Sequence, residues 1–444
     1  LNKQKKIIKY NIDNKKINIT DVQLYIRNLY HSFTNKKWII KFNNKVEDVK
    51  FTNRKDLFNL FNKGPVTPDH VIRIKSEPLI IPNKHLSSSK MISNHFDAYI
   101  KKYKNYFKKY KKNITNSKIA DPLPRIIILE GIGFLSIGLN KKEMQVSYDI
   151  FDAMKKVIIK ANLVSKFKSI NNTDIFKMEY WPLERAKLNN QNTKKFNGNV
   201  AVITGGAGKI GSAIANKFIN ENIEVILLDK NFKNLDVNIK KKCLCIVCDL
   251  TNNSQINKAL NKILKLFGGI DILIANSGAA FQGSMLNVKK DILEKSLEVN
   301  FYSHHNIVQK IANIMVSQGF GGSISLNLSK QSINPGKDFG PYGIAKASSL
   351  FSMKQYALEF GKYNIRVNGI NADRIKSGLL TDQFIKERAK ARNMSSTEYL
   401  NNNLLQKQVT AEDVAEAFFA QLSFEKTTGN IITVDGGNIE ASLR

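Results

Sequence analysis

The sequence predicts an α/β protein: a doubly wound parallel sheet of seven strands, preceded by a smaller α/β domain. Three observations carry that expectation. From Val200 onward, short apolar runs alternate with amphipathic helical runs, the order a parallel sheet covered on both faces requires. The first of those runs ends in a glycine-rich turn, Thr204-Gly205-Gly206-Ala207-Gly208-Lys209-Ile210-Gly211. Upstream, residues 125–130, 134–138 and 141–161 read strand, strand, helix, with Gly131-Ile132-Gly133 as the turn.

Taken in order, residues 1–170 make the expected first domain, 171–195 a linker ending in the polar run 189–195, and 196–444 the larger domain. Residues 56–61 suggest a short helix. Residues 64–73 read as a loop running into a strand, because each proline biases the residue before it toward extended geometry. Residues 95–112 carry aromatic side chains at helical spacing, which points to packing. In the larger domain the strands read as 200–204, 223–229, 244–249, 271–276, 323–328, 365–370 and 431–435. Ligands of such a sheet bind beyond the carboxyl ends of the strands.

At 444 residues and 42% apolar content, the chain has room for two domains with ordinary cores. Its net charge of +32 raises the question of a polyanion. The lysines are dispersed among Asn and Ile throughout, and no pure Lys/Arg block exceeds three residues. That reads as a compositional bias, so neither nucleic acid nor membrane is an expected partner. No apolar run reaches the roughly 18 residues of a membrane span, and no signal peptide is legible. The chain opens on Leu1 and not Met, which suggests N-terminal truncation. Cys243, Cys245 and Cys248 read as small buried hydrophobes of one strand, in a reduced cytoplasmic protein.

The chemistry sits in the larger domain. Gly206, Gly208 and Gly211 satisfy G-x-G-x-x-G between a strand and a helix, where backbone amides meet a pyrophosphate. Ile210 stands where a Walker loop needs Ser or Thr. The second strand ends in Asp229, a carboxylate suited to a ribose diol and repelling a 2′-phosphate, so NAD is expected over NADP. Asp249 ends the third strand, within reach of an adenine. Tyr342 and Lys346, four apart, share a helix face. A neighbouring ammonium lowers a phenol's pKa, and such a pair passes protons to a substrate oxygen.

With these pieces in view, residues 196–444 resemble a classical short-chain dehydrogenase/reductase. The resemblance rests on the glycine turn, Asp249, Asn276-Ser277-Gly278, Asn300, Ser329 thirteen residues before Tyr342, Lys346, Arg366-Val367-Asn368 and Val434-Asp435-Gly436-Gly437. It implies Tyr342 as general acid/base and Lys346 as holder of the nicotinamide ribose. Ser329 would hold the substrate oxygen, and Asn300 would anchor a water that links Lys346 to solvent. It further implies NAD contacts from Gly205, Gly206, Gly208, Ile210, Gly211, Asp229, Asp249, Leu250, Asn276, Gly278 and Ser377, besides Tyr342 and Lys346. A homotetramer is implied too. The chain departs from the pattern at Lys209, Ser277 and Ala372-Asp373-Arg374, and Arg374 is either a substrate contact for an anionic or polyhydroxylated compound or a partner of Asp373.

The first domain, through 64–73, Asp121-Pro122-Leu123-Pro124-Arg125 and Met178-Glu179-Tyr180-Trp181-Pro182-Leu183-Glu184, resembles the middle region of fused class II aldolase/short-chain dehydrogenase proteins of the rhamnulose-1-phosphate aldolase type. That implies a small hydroxyaldehyde or alcohol of sugar catabolism as substrate. The family's aldolase zinc is held by a His-x-His pair. Here His31, His70, His85 and His95 form none, so no metal site is assigned and His70 reads as a loop histidine. The rival readings are a metal-dependent aldolase whose second domain only binds nucleotide, and a non-catalytic nucleotide sensor.

Overall fold

The computed structural model describes residues 17–61, 63–113, 118–189, 194–378 and 380–438. Residues 190–193 of the expected linker lie outside the described residues. The chain divides into two compact units, 1–198 with 264–269, and 199–263 with 270–444.

The first unit contains a four-stranded sheet of β1 (Ile39–Asn43), β2 (Leu79–Ile81), β3 (Ile126–Leu129) and β4 (Gly133–Gly138), in the order β1-β4-β3-β2. β4 runs antiparallel to β1 and β3, and β2 parallel to β3. The expected strand–turn–strand–helix unit is β3, β4 and the helix Lys141–Val164.

Two expectations in this unit need correction. Residues 68–74 are a helix, Pro68–Ile74, and not a strand. Thr67 is extended, as the residue before a proline should be, but it serves as the helix N-cap, with the Thr67 N–H donating to His70 Nδ1 at 3.1 Å. Pro68 loses nothing in the first helical turn, where an N–H would lack a partner anyway. The second correction concerns 171–195. Its first part forms two helices, Asn172–Glu179 and Pro182–Asn189. Ile175, Phe176 and Tyr180 share one face and are buried, with Phe176 and Tyr180 stacked at 4.5 Å. Glu179 also accepts from the buried Lys75 ammonium at 3.2 Å and from the Tyr103 hydroxyl at 2.7 Å, which ties the segment to the helix Ser89–Tyr110.

The second unit is a seven-stranded, wholly parallel sheet. Its strands are β5 (Val200–Thr204), β6 (Glu224–Asp229), β7 (Leu244–Val247), β8 (Ile272–Ala275), β9 (Gly322–Asn327), β10 (Ile365–Ala372) and β11 (Ile431–Val434). Their order is β11-β10-β9-β8-β5-β6-β7. This is the expected doubly wound, Rossmann-type sheet. Helices cover both faces, so β5 is buried along its whole length. Each Val, Ile or Leu side chain buried there contributes about 1.5–3 kcal/mol. The strand order reverses between β5 and β8, and a crevice opens there beyond the strand ends. β7 is an edge strand, so of the three cysteines only Cys248 is buried; Cys243 and Cys245 stay half-buried.

Candidate active site

The crevice is built first from the turn after β5. Gly205 has φ +62°, and a Cβ there would stand 2.8 Å from Ser277 Cα. A Cβ on Gly211 would stand 2.2 Å from the Gly205 carbonyl oxygen. The turn is therefore compact, and Gly208 caps the helix Lys209–Asn220, whose amino end faces the crevice. The Thr204 hydroxyl accepts from the amides of Asn276 (2.9 Å) and Ser277 (3.1 Å), which fastens the ends of β5 and β8 together. Asp229 is fixed by the amides of Ala207 (2.9 Å) and Lys230 (2.7 Å), while the Lys230 ammonium pairs with Asp249 at 3.0 Å.

These elements enclose a cavity of about 780 Å³. Gly205, Gly208, Ile210, Gly211, Asp229, Asp249, Leu250, Asn276, Gly278 and Ser377 line it, as the sequence led one to expect. Gly206 does not: it lies behind the turn, where a Cβ would meet Leu227 at 2.7 Å.

A second cavity of about 470 Å³ adjoins the first, sharing Ile210, Ala280, Asn327 and Ser377 with it. Ser329 and Tyr342 line this one. Tyr342 and Lys346 stand near the start of the helix Gly340–Phe360, and both are buried. The Lys346 ammonium donates to the Asn327 carbonyl at 2.8 Å and lies 5.8 Å from the centre of the Tyr342 ring. Burial lowers Lys346 to about 8. Burial also raises Tyr342 to about 12, against a smaller downward pull from a hydrogen bond with Ser329. The expected lowering of the phenol by Lys346 does not arise from the chain's own groups, because desolvation dominates.

Asn300 occupies a π-helical turn, Glu298–Tyr302. Its side chain pairs with both backbone groups of Ala279, at 3.0 Å each. That amide holds the loop after β8, where a Cβ on Gly278 would come within 2.9 Å of it. Arg374, at φ +54°, donates to the carbonyls of Tyr399 (3.1 Å) and Asn402 (2.7 Å) and stands 3.6 Å from Asp373. It lines the second cavity while holding the end of the helix Ser396–Asn401.

Sequence reasoning passed over Asn327 and His304. Asn327 carries the Lys346 contact and donates from its side chain to Asn276 at 2.8 Å, linking the lysine to the glycine turn. Its place two residues before Ser329, at the end of β9, was the available signal. His304 is buried, and its Nε2 lies 2.6 Å from the Ser277 carbonyl. Burial, and then the Lys346 charge, lower it to about 3. The unfolded imidazole titrates near 6.5. The unfolded chain therefore binds the extra proton first, and stability falls as pH drops from about 6.5 toward 3. Between about pH 7 and pH 5 this one group should cost about 2 kcal/mol. Urea midpoints at the two pH values should differ less in His304→Asn than in the parent; an equal difference would contradict the assignment.

In the first unit, His85 Nδ1 and His95 Nε2 meet at 2.8 Å, a pairing the spacing did not suggest. Among the described residues, no three His, Cys, Asp or Glu side chains converge as a metal would require.

Residues 205–438, more than half of the chain, match the family model described as Enoyl-(Acyl carrier protein) reductase. The chain belongs to the short-chain dehydrogenase/reductase family of oxidoreductases. Residues 18–188 match the aldolase class II, second domain, so the chain joins such a domain to the short-chain dehydrogenase/reductase domain. The uncharacterized oxidoreductase YuxG of Bacillus subtilis (strain 168) is 28% identical over 424 residues, covering 90% of this chain and 61% of YuxG. The chain thus spans about three-fifths of that relative's length. Short-chain dehydrogenase reductase 3a of Arabidopsis thaliana is 27% identical over 248 residues, 55% of this chain and 96% of its own. Among solved structures, NAD+-bound xylitol dehydrogenase superposes with a TM-score of 0.52 at 23% identity, over 55% of this chain and all of that one. Levodione reductase gives 0.52 at 22%, over 56% and 100%. These two share the fold.

Proposed function

We propose that the chain is an NAD-dependent oxidoreductase that interconverts a small alcohol and its carbonyl compound, with Tyr342 as proton donor and acceptor. One observation carries the reading: Ser329 and Tyr342 line a cavity continuous with the one at the glycine turn. Support for a dinucleotide comes from the turn, which lines the first cavity and is held compact by glycines: a Cβ at Gly205 would meet Ser277 Cα, and one at Gly211 the Gly205 carbonyl oxygen. The turn and the helix behind it would hold the pyrophosphate, Asp229 the adenine ribose, Lys346 the nicotinamide ribose and Ser377 the carboxamide. The nicotinamide supplies the hydride chemistry.

The chain's own groups do the rest. Ser329 orients the substrate oxygen by a hydrogen bond. A Tyr342 raised to about 12 is protonated at neutral pH, so it donates as charge develops on that oxygen. In the oxidative direction it must take up the alcohol proton, and Lys346 is the cation beside it. The fused aldolase class II domain favours a small hydroxyaldehyde or alcohol of sugar catabolism.

The choice of NAD rests on Asp229. Its carboxylate repels a 2′-phosphate, and Lys230 is drawn away to Asp249. Fluorescence titration should show NADH binding about tenfold or more tighter than NADPH, with Asp229→Ser narrowing that gap. Tighter binding of NADPH to the parent chain would contradict it.

A further inference from the structure

The second cavity has a charge that the proton-transfer residues do not explain. Its wall carries five cationic side chains, Lys330, Lys337, Arg374, Arg388 and Arg392, against one carboxylate, Asp373. None of the five lines the cofactor cavity. A general lysine bias does not account for them. The chain has only ten arginines among its 69 basic residues, and three of those ten stand in this one wall.

The five are not equivalent. Asp373 is taken up by Lys330 at 3.3 Å and Arg374 at 3.6 Å, and Arg374 also holds two backbone carbonyls. Arg388, in the last turn of the helix Asp382–Lys390, and Arg392, in the turn that follows it, have no carboxylate partner among the described residues. The Arg388 guanidinium lies against two rings that meet edge-to-face, 4.8 Å from the centre of Phe339 and 5.1 Å from that of Phe384. The Phe339 ring lies 6.2 Å from the Tyr342 ring. This aromatic pair thus presents a half-buried guanidinium one ring away from the proposed proton donor. Among the described residues its one acceptor is the Lys337 carbonyl, at 3.4 Å, which leaves most of its five donors for a ligand. A planar fork of this kind matches a phosphate or carboxylate.

We propose that the substrate carries an anionic group, phosphate or carboxylate, a few bonds from the reacting carbon, and that Arg388 receives it. The inference deepens the oxidoreductase reading of this site and rests on it. Arg388 acts as a specificity residue: it anchors the charged end while Ser329 and Tyr342 hold the oxygen that reacts. A neutral sugar-derived alcohol would leave this wall unused.

The test measures binding to the NADH-loaded full chain, so that it does not depend on turnover. Matched pairs are titrated: glycerol phosphate against glycerol, and lactate against isopropanol. The charged member of at least one pair should bind about tenfold or more tighter, and which pair does so distinguishes phosphate from carboxylate. Arg388→Gln should shrink that ratio toward unity, and Arg388→Lys, which keeps the charge but not the fork, should retain part of it. Equal affinities within both pairs, or no binding of any member, overturn the inference. So does an Arg388→Gln variant that weakens charged and neutral members alike, which marks the side chain as structural. A failure of the underlying reading looks different: NADH does not bind, or NAD-linked turnover survives in Tyr342→Phe.

Discussion

Tyr342→Phe is expected to lower NAD-linked turnover by about 10²–10⁴-fold, the range that a positioned proton donor contributes. The substitution removes one oxygen and keeps the ring, which packs edge-on against Phe339 at 6.2 Å. It leaves the glycine turn, Asp229 and Lys346 untouched, so NADH affinity should stay close to that of the parent chain. The loss should fall on kcat, because the phenol acts as charge develops and contributes little to ground-state binding. Steady-state kinetics and an NADH titration on the same preparation separate the two effects. Turnover near the parent rate would remove Tyr342 from the mechanism. Loss of NADH binding would mean the variant had disturbed the fold.

The other large effect is expected at Gly211→Ala. The added methyl would lie 2.2 Å from the Gly205 carbonyl oxygen and 2.9 Å from its carbon, both of them backbone atoms that no rotamer change can move aside. The turn must open, and it is fastened to β8 through Thr204. Overpacking of this kind costs about 1–3 kcal/mol of stability. The loss of NADH affinity should be larger in proportion, because the amino end of the helix Lys209–Asn220 is displaced from its cradle. Gly361→Ala is the control: a Cβ there meets nothing within 4 Å, and the residue lines neither cavity. Isothermal titration with NADH, alongside a thermal melt, checks both variants. An unimpaired Gly211→Ala would show that the turn does not hold the cofactor.

The parallel sheet was legible because its inner strands are buried on both faces and read as continuous apolar runs. The expected 200–204 coincides with β5, and the other six overlap their strands. The glycine turn was equally plain, since its steric need is written in residue type. Helix and strand were confused where local chemistry outweighed pattern. Pro68 signalled extended geometry, but it governs only the residue before it, and Thr67 turned out to be a helix cap. At 171–195 the polar composition hid an apolar face of Ile175, Phe176 and Tyr180 that only tertiary contact reveals.

In the site, motif spacing pointed to residues that the fold gathers around the two cavities, whereas positions fixed by packing left no signal in the sequence. Asn327 holds Lys346 with a backbone carbonyl, a group every residue has, so its identity carried no signal. Arg388 is positioned by Phe339, nearly fifty residues away in sequence, and a helical arginine alone says nothing of that neighbour. Arg374 drew attention as a departure from a familiar pattern. The structure gives it two backbone carbonyls and a carboxylate beside its place in the wall of the second cavity; the anion-receiving role is the one proposed for Arg388.

Hydride transfer at the junction of the two cavities can be followed through the hydrogen itself. The chain is incubated with NADH deuterated on the transferring face and a panel of small aldehydes and ketones, charged and neutral, and the products are examined by mass spectrometry. The expected product is an alcohol carrying one deuterium at the former carbonyl carbon, formed by the parent chain and suppressed in Tyr342→Phe. NADH that binds while no carbonyl compound gains deuterium, or deuterium transfer that persists undiminished in Tyr342→Phe, would contradict it.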